Sequence, residues 1–463
     1  MRVKRFHRFC VCTLSLGMIL SLLSLCPLLS AACAAGPHTP LTLSANRTAT
    51  PQPAQAIDVV REWNQHAVAF TLLPASALAP VQQTRVMAIF HVAVHDAVNG
   101  ITGEYETYLS TSSAPEHASP HAAAIAAAHH ALKNLFPGND ATLDERYVNS
   151  LAAHGLSPHD PGIAFGRAAA AAILALRVDD NSAQAQFDYH APGAGTPGVW
   201  VRLNNAPALL PGWGRVTPFV MRSASQFRPE APPALNSEQY AKDFNEIKEI
   251  GRSGSASRTS EQSQIALFWR ASPTAIWNSV LTQLLPTRNL DLSSGARLFA
   301  LFYLAAADAS IACWEAKYTY NFWRPQPAIA NGDFDGNDLT TANPAWLPFL
   351  ATPPHPEYPS GHTVNSSAMA KILTLEFADS PGVPIVVTQS GITRQWTSLS
   401  EAVDEVIDAR VYSGIHFRNS DEVGARMGRQ IAQFVSRHAL RHKKHKSHIS
   451  EIQWISSFVP FCG

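Results

Sequence analysis

Three short segments in the C-terminal half of the chain carry the residues best suited to chemistry. The first is Trp314-x-x-Lys317, followed after six residues by Arg324-Pro325. Seven residues is close to two helical turns, so the spacing predicts Lys317 and Arg324 on one helix face, roughly 10 Å apart along the axis. Pro325 should stop that helix and leave Arg324 at its end. A Lys/Arg pair at this spacing is usually a solvated stripe. The aromatic setting of Trp314, Tyr318, Tyr320, Phe322 and Trp323 argues for burial instead. The second segment, Pro353-Pro354-His355-Pro356-Glu357-Tyr358-Pro359-Ser360-Gly361-His362, opens a predicted helix at 361. Its prolines hold an extended approach, Ser360 can cap, and Gly361 lets a ligand come close to backbone N–H groups at a positive helix end. His362 sits at the lip, placed to exchange a proton. The third is Arg410-Val411-Tyr412-Ser413-Gly414-Ile415-His416. On one helix Arg410 and His416 would face apart; a break at Gly414 would let them converge.

Together these residues describe a pocket for a multiply charged oxyanion. Arginine forks and a lysine pair with its oxygens. One histidine could bond its central atom while the other works as acid or base. Charge alone does not separate phosphate from vanadate.

The elements that must position these residues read as helices, with little strand. Helical patterns fall at about 57–70, 82–99, 120–136, 158–178, 236–250, 259–271, 295–323, 361–377, 398–411 and 419–440. Ser398-x-x-Glu401 is a capping box that marks one start. Residues 182–235 hold eight prolines and no sustained period, a long irregular connection. The β-branched run Ile385–Thr388 is the one short strand candidate. An all-α fold built from helical bundles is expected. The division is a signal segment (1–34), a Pro/Ala/Thr-rich linker (35–56), an N-terminal helical region with the long connection (57–235), a catalytic helical domain (236–440) and a basic tail (441–463).

The 463 residues are 46% hydrophobic and 15% charged, a globular balance. Lys+Arg and Asp+Glu are 35 each, so the basic excess of a nucleic-acid binder is missing. Setting aside Arg2, Lys4, Arg5 and Arg8 at the N-terminus leaves 31 bases, a mildly acidic mature chain. Those four bases precede an apolar stretch, Val11 to Leu29, and the cleavage-like Ala32-Cys33-Ala34. An export signal is expected, giving a secreted or periplasmic protein, with membrane attachment only if the segment is retained. Elsewhere no apolar run reaches spanning length; Leu298–Ala307 is cut short by Asp308. Outside the signal only Cys313 and Cys462 remain, no disulfide framework.

Other patterns are weak. Gly193-Ala194-Gly195-Thr196-Pro197-Gly198 fits a nucleotide loop but lacks a preceding strand. His91-x3-His95-Asp96 reads as a packing pair rather than a metal site. Asp333–Asp338 resembles a calcium loop with its glycine too early, a solvated turn. The sequon at Asn46 and the His-rich tail imply little.

Lys317-x6-Arg324-Pro325, Pro359-Ser360-Gly361-His362 and Arg410-x5-His416 resemble, in order, the three-part signature of the type two phosphatidic-acid-phosphatase and vanadium haloperoxidase superfamily. Within it the chain is similar to the bacterial vanadium-dependent haloperoxidases, through Trp314, Phe322-Trp323-Arg324-Pro325 and Gly414-Ile415-His416-Phe417-Arg418, with further likeness at Arg85–Asn99 and Pro211–Leu235. The likeness spans about residues 57–436. It implies an all-helical fold with vanadate at the base of the C-terminal bundle. His416 would be the apical metal ligand, Lys317, Arg324, Arg410, Ser360 and the Gly361 amide would hold the oxygens, and His362 would serve as acid–base group. Hydrogen peroxide, a halide and a small organic acceptor would be the partners. Trp314 and His355 would line the halide side. His355 stands where chloride oxidisers carry an aromatic residue and bromide oxidisers a histidine, so bromide is expected. Where the pattern has Asp four residues after the apical histidine, this chain has Ser420, with Asp421 next door. A carboxylate that orients a histidine raises its ligand strength, so this departure bears on the tuning of His416. A secreted acid phosphatase working through a phosphohistidine is the alternative, and an oxyanion-binding protein without turnover the non-enzymatic one.

Overall fold

A computed structural model describes residues 58–71, 76–109 and 113–443. The signal segment, the linker, the Asn46 sequon, Cys462 and the tail beyond 443 lie outside the described residues. Among the described residues thirteen α-helices are joined mostly by loops: α1 (Asp58–Thr71), α2 (Pro80–Thr102), α3 (Pro120–Leu135), α4 (Asp140–Ala153), α5 (Pro161–Leu176), α6 (Glu238–Ile250), α7 (Ser260–Phe268), α8 (Pro273–Leu284), α9 (Leu292–Tyr320), α10 (Pro325–Ala330), α11 (Gly361–Phe377), α12 (Leu399–Tyr412) and α13 (Arg418–His438). A hairpin of β1 (Ile385–Gln389) and β2 (Ile392–Trp396) pairs antiparallel, Val387 opposite Arg394. The fold is all-α, as expected.

Helix α9 is the axis. It is long and apolar enough to cross a membrane, yet it is a core helix, 94% buried over its apolar window, with α2, α11 and α13 against it. Asp308, which interrupts its apolar run, is not at a surface. Its fully buried carboxylate accepts from Phe219 N (2.6 Å), Val220 N (2.8 Å) and Met221 N (2.8 Å), so the helix interior pins the irregular 182–235 connection. Helices α11 and α13 approach closely because Gly428 lacks a side chain: a Cβ there would sit 2.1 Å from Val364 O.

The structure departs from the sequence expectations at helix ends. The run 295–323 does not stay helical to Arg324. Asn321 adopts the left-handed conformation (φ 48°) and caps α9 through a bond from its N–H to Lys317 O. Helices α4 and α8 and strand β2 were not expected, although Ser272-Pro273 supplies an N-cap position and a first-turn proline for α8. The 398–401 box is half formed: Ser398 Oγ accepts from Glu401 N (3.1 Å), but Glu401 returns to Thr397 N.

Candidate functional site

The sequence-predicted site residues converge at one end of α9. Trp314, His355, Gly361, His362, Arg410 and His416 line a cavity of about 140 Å³. Lys317, Arg324 and Ser360 are fully buried beside this lining. The N-terminal half adds Pro80, Val81 and Thr84 of α2 and Leu209 of the long connection to the same lining, residues for which the sequence offered no chemical signal.

Arg324 arrives by a turn, not along a helix face. It is the N-cap of α10, and the Gly193–Gly198 segment has its use here. Gly198 O accepts from Trp323 N (3.0 Å) and Trp200 N donates to Asn321 O (2.7 Å), clamping the turn that carries the arginine. The guanidinium donates from Nε to His355 O (2.9 Å), from Nη1 to Ile415 O (2.8 Å) and His416 Nε2 (3.1 Å), and from Nη2 to His355 Nδ1 (3.0 Å). Lys317 Nζ donates to Pro356 O and Glu357 O (both 2.9 Å). Arg410, in the last turn of α12, donates from Nη1 to Trp269 O (3.0 Å), while its buried Nε has no partner. Ser360 stands at the N-cap of α11, but its hydroxyl caps nothing: Oγ is buried without a hydrogen bond. Gly414, at φ 79°, breaks the chain after α12 as expected; a Cβ there would meet Gly251 O at 2.2 Å. That turn brings His416 to the same cavity as Arg410.

His416 is anchored by a residue the sequence reading missed. Its Nδ1 lies 2.9 Å from Glu357 Oε1, which also accepts from Phe417 N (3.0 Å), and Glu357 Oε2 accepts from Ser420 Oγ (2.5 Å). A guanidinium can only donate, so the Arg324 contact makes His416 Nε2 the lone-pair nitrogen and Nδ1 the N–H. Ser420 therefore does not leave His416 without a carboxylate; the carboxylate comes from the proline-rich segment. Asp421 does not replace it. Its buried carboxyl lies beside Ser360 without making a hydrogen bond of ordinary geometry, and burial pushes it well above the carboxylate range.

The site concentrates buried positive charge. Burial lowers the pKa of Lys317, Arg324 (to about 10) and Arg410, and neighbouring cations add to the effect at Lys317 and Arg324. His355, His362 and His416 are each held well below 6.5, first by burial and then by these cations, so all three are neutral at pH 7. Burial raises the carboxyl of Glu357, and Ser420 and the cations pull it back. His362 Nε2 faces Ala271 O (3.3 Å), which leaves Nδ1 as its lone-pair nitrogen. The loop 269–271 thus orients Arg410 and His362 through two carbonyls. His355 is not a free imidazole: it is tied to Arg324 and lies 5.0 Å, centroid to centroid, from Trp314.

The remaining patterns are structural. His91 donates to Asn64 Oδ1 (3.1 Å) between the rings of Phe299 and Tyr303, and His95 bonds Glu106 O and Asn99. Asp335 accepts from Asn337 N and Thr340 Oγ1 within its own turn.

Comparisons with known proteins bear on the fold and on the stretch that carries these residues. Residues 297–445, which contain all three segments, match the VCPO second helical-bundle domain. The chain is 23% identical over 413 residues to the vanadium chloroperoxidase of Curvularia inaequalis, covering 70% of this chain and 68% of that protein. The crystal structure of the first bacterial vanadium-dependent iodoperoxidase superposes with a TM-score of 0.70 and 26% identity, covering 82% of this chain and 97% of that one. A holo-type bacterial vanadium-dependent chloroperoxidase shares the fold, with a TM-score of 0.61 and 19% identity over 84% of this chain and 97% of that one. The chain thus shares the fold of the vanadium haloperoxidases, and the stretch that carries the buried cavity matches their second helical-bundle domain.

Proposed function

We propose that this protein holds vanadate in the cavity at the end of α9 and oxidises halide with hydrogen peroxide, bromide in preference to chloride. The observation that carries the reading is a set of unspent donors beside one lone pair. Ser360 Oγ and Arg410 Nε are buried without partners, and in the same pocket the His416 Nε2 lone pair has only the Arg324 Nη1 donor (3.1 Å), which an oxyanion would take over. A buried donor without an acceptor costs about 1–3 kcal/mol, and a tetrahedral oxyanion would satisfy both at once. Lys317, Arg324, Arg410, Ser360 and the Gly361 amide would hold the oxygens, and His416 Nε2 would bond the metal. Vanadate, when bound, supplies a Lewis-acid centre that activates peroxide without changing its own oxidation state.

The chain's own residues supply binding, orientation and proton movement. The neutral His362 takes a proton from peroxide at Nδ1 while Ala271 O keeps its Nε2–H in place. His355 draws one guanidinium N–H of Arg324 toward itself, which weakens the donor field on that side of the pocket and favours bromide, the more easily oxidised halide. Pro80, Pro273, Pro353 and Leu209 give the cavity an apolar lining, which suits small reactants such as peroxide and halide. Residues 1–34 support export to a secreted or periplasmic site; N-terminal sequencing of secreted protein should begin near Ala35.

Turnover with and without vanadate tests the reading. Added vanadate should switch on bromide oxidation by the purified protein. Phosphate-ester hydrolysis that vanadate inhibits, with no bromide oxidation, would instead identify a phosphatase.

A further inference from the structure

We infer that Glu357 is a positioning residue that fixes His416 as the Nδ1–H tautomer with its Nε2 lone pair held on the cationic side of the pocket, beside Arg324, and that Ser420 locks Glu357 in that pose. The inference rests on the oxyanion reading above and adds the group that decides how strongly His416 can bond the central atom.

Every atom around Glu357 has one available role. Phe417 N can only donate, so Oε1 is an acceptor there and also for His416 Nδ1. Ser420 Oγ holds the second oxygen. The backbone is fixed as well: Glu357 N donates to Phe322 O (2.9 Å), Glu357 O accepts from Lys317, and Pro356 and Pro359 restrict the chain on both sides. The residue is 0% exposed. On the far side of the imidazole, Arg324 Nη1 donates to Nε2. The ring is therefore held between an acceptor and a donor, and only one tautomer satisfies both. A carboxylate on Nδ1–H also makes Nε2 a stronger electron-pair donor.

This role separates two anions of similar shape. Vanadate gains a bond to nitrogen; phosphate is held by charge and hydrogen bonds alone. Removing Glu357 should weaken the first and spare the second, since the cations and Ser360 remain. Position 420 is the second seat from which a carboxylate can reach Nδ1, because Ser420 Oγ already touches the Glu357 carboxylate from the first turn of α13.

Calorimetric titration of the full chain with orthovanadate and, separately, with inorganic phosphate tests this. Glu357→Ala should lower vanadate affinity by about 10–100-fold and leave phosphate affinity unchanged. Glu357→Gln, which keeps an acceptor oxygen and the packing, should show the same selective loss at smaller size. The double variant Glu357→Ala/Ser420→Asp should recover vanadate binding. Parallel loss of both anions in Glu357→Gln, or unchanged vanadate affinity in either single variant, would overturn the inference, and a double variant no better than Glu357→Ala would overturn the second seat. A wild type that binds neither anion overturns the oxyanion reading itself.

Discussion

Helix α2 and the end of α9 each bury neutral histidines, and the two regions use them in opposite ways. His91 and His95 bond neutral groups, an amide and a carbonyl, with aromatic rings stacked on His91, and the single charge acting on them is Arg297 near His95. Their pKa values fall to about 3 and about 4, chiefly through burial. His362 and His416 are depressed by burial too, but Arg410, Arg324 and Lys317 add to it. The first pair fills a core. The second keeps lone pairs among unspent donors. A buried histidine becomes chemical through the charges facing it, which its own burial does not reveal.

The comparison can be broken most severely at His416. His416→Ala should abolish vanadate-dependent bromide oxidation and weaken vanadate binding to what the cations and Ser360 alone can hold, because the nitrogen bond to the metal is lost; steady-state assays over a vanadate series check it. His362→Ala should lower bromide and chloride rates together by roughly 10²–10⁴-fold, the usual worth of a positioned acid–base group, with vanadate affinity retained.

The scaffold pair predicts a stability effect with a definite sign. His91→Leu should cost about 1–3 kcal/mol at pH 7, because Asn64 Oδ1 loses its donor. The folded pKa of His91 is about 3 against 6.5 unfolded. The unfolded chain therefore takes up a proton first, and the stability His91 gives is complete above pH 6.5 and lost as pH falls toward 3. The cost of His91→Leu should shrink between pH 7 and pH 4 in denaturant unfolding. A cost that grows instead would contradict a neutral buried ring. The smallest effect sharpens the chemistry: His355→Phe frees the Arg324 N–H and should shift the bromide-to-chloride rate ratio toward chloride, measured at fixed peroxide and saturating vanadate.

Much of the site was legible because polar residues stand out against aromatic and proline-rich surroundings. Lys317, Arg324, Ser360, His362, Arg410 and His416 could be named from type and spacing. Their route together could not. Helical spacing suggested that Lys317 and Arg324 share a helix face, but Asn321 tolerates a left-handed backbone and ends α9 first. Glu357 was passed over because a single acid between prolines has no period to place it. Its signal was isolation: it is the one acid between Asp338 and Glu376, in a segment already bound for a cationic pocket. Asp308 was read as an interruption of an apolar run, whereas its three backbone partners lie about 90 residues away in a loop without pattern.

The most direct test of the central claim is a crystal structure of the protein soaked in orthovanadate. The account predicts one vanadium joined to His416 Nε2, with its oxygens on Lys317, Arg324, Arg410, Ser360 and the Gly361 amide. Vanadium bound elsewhere, or in this cavity without a bond to His416, would contradict it.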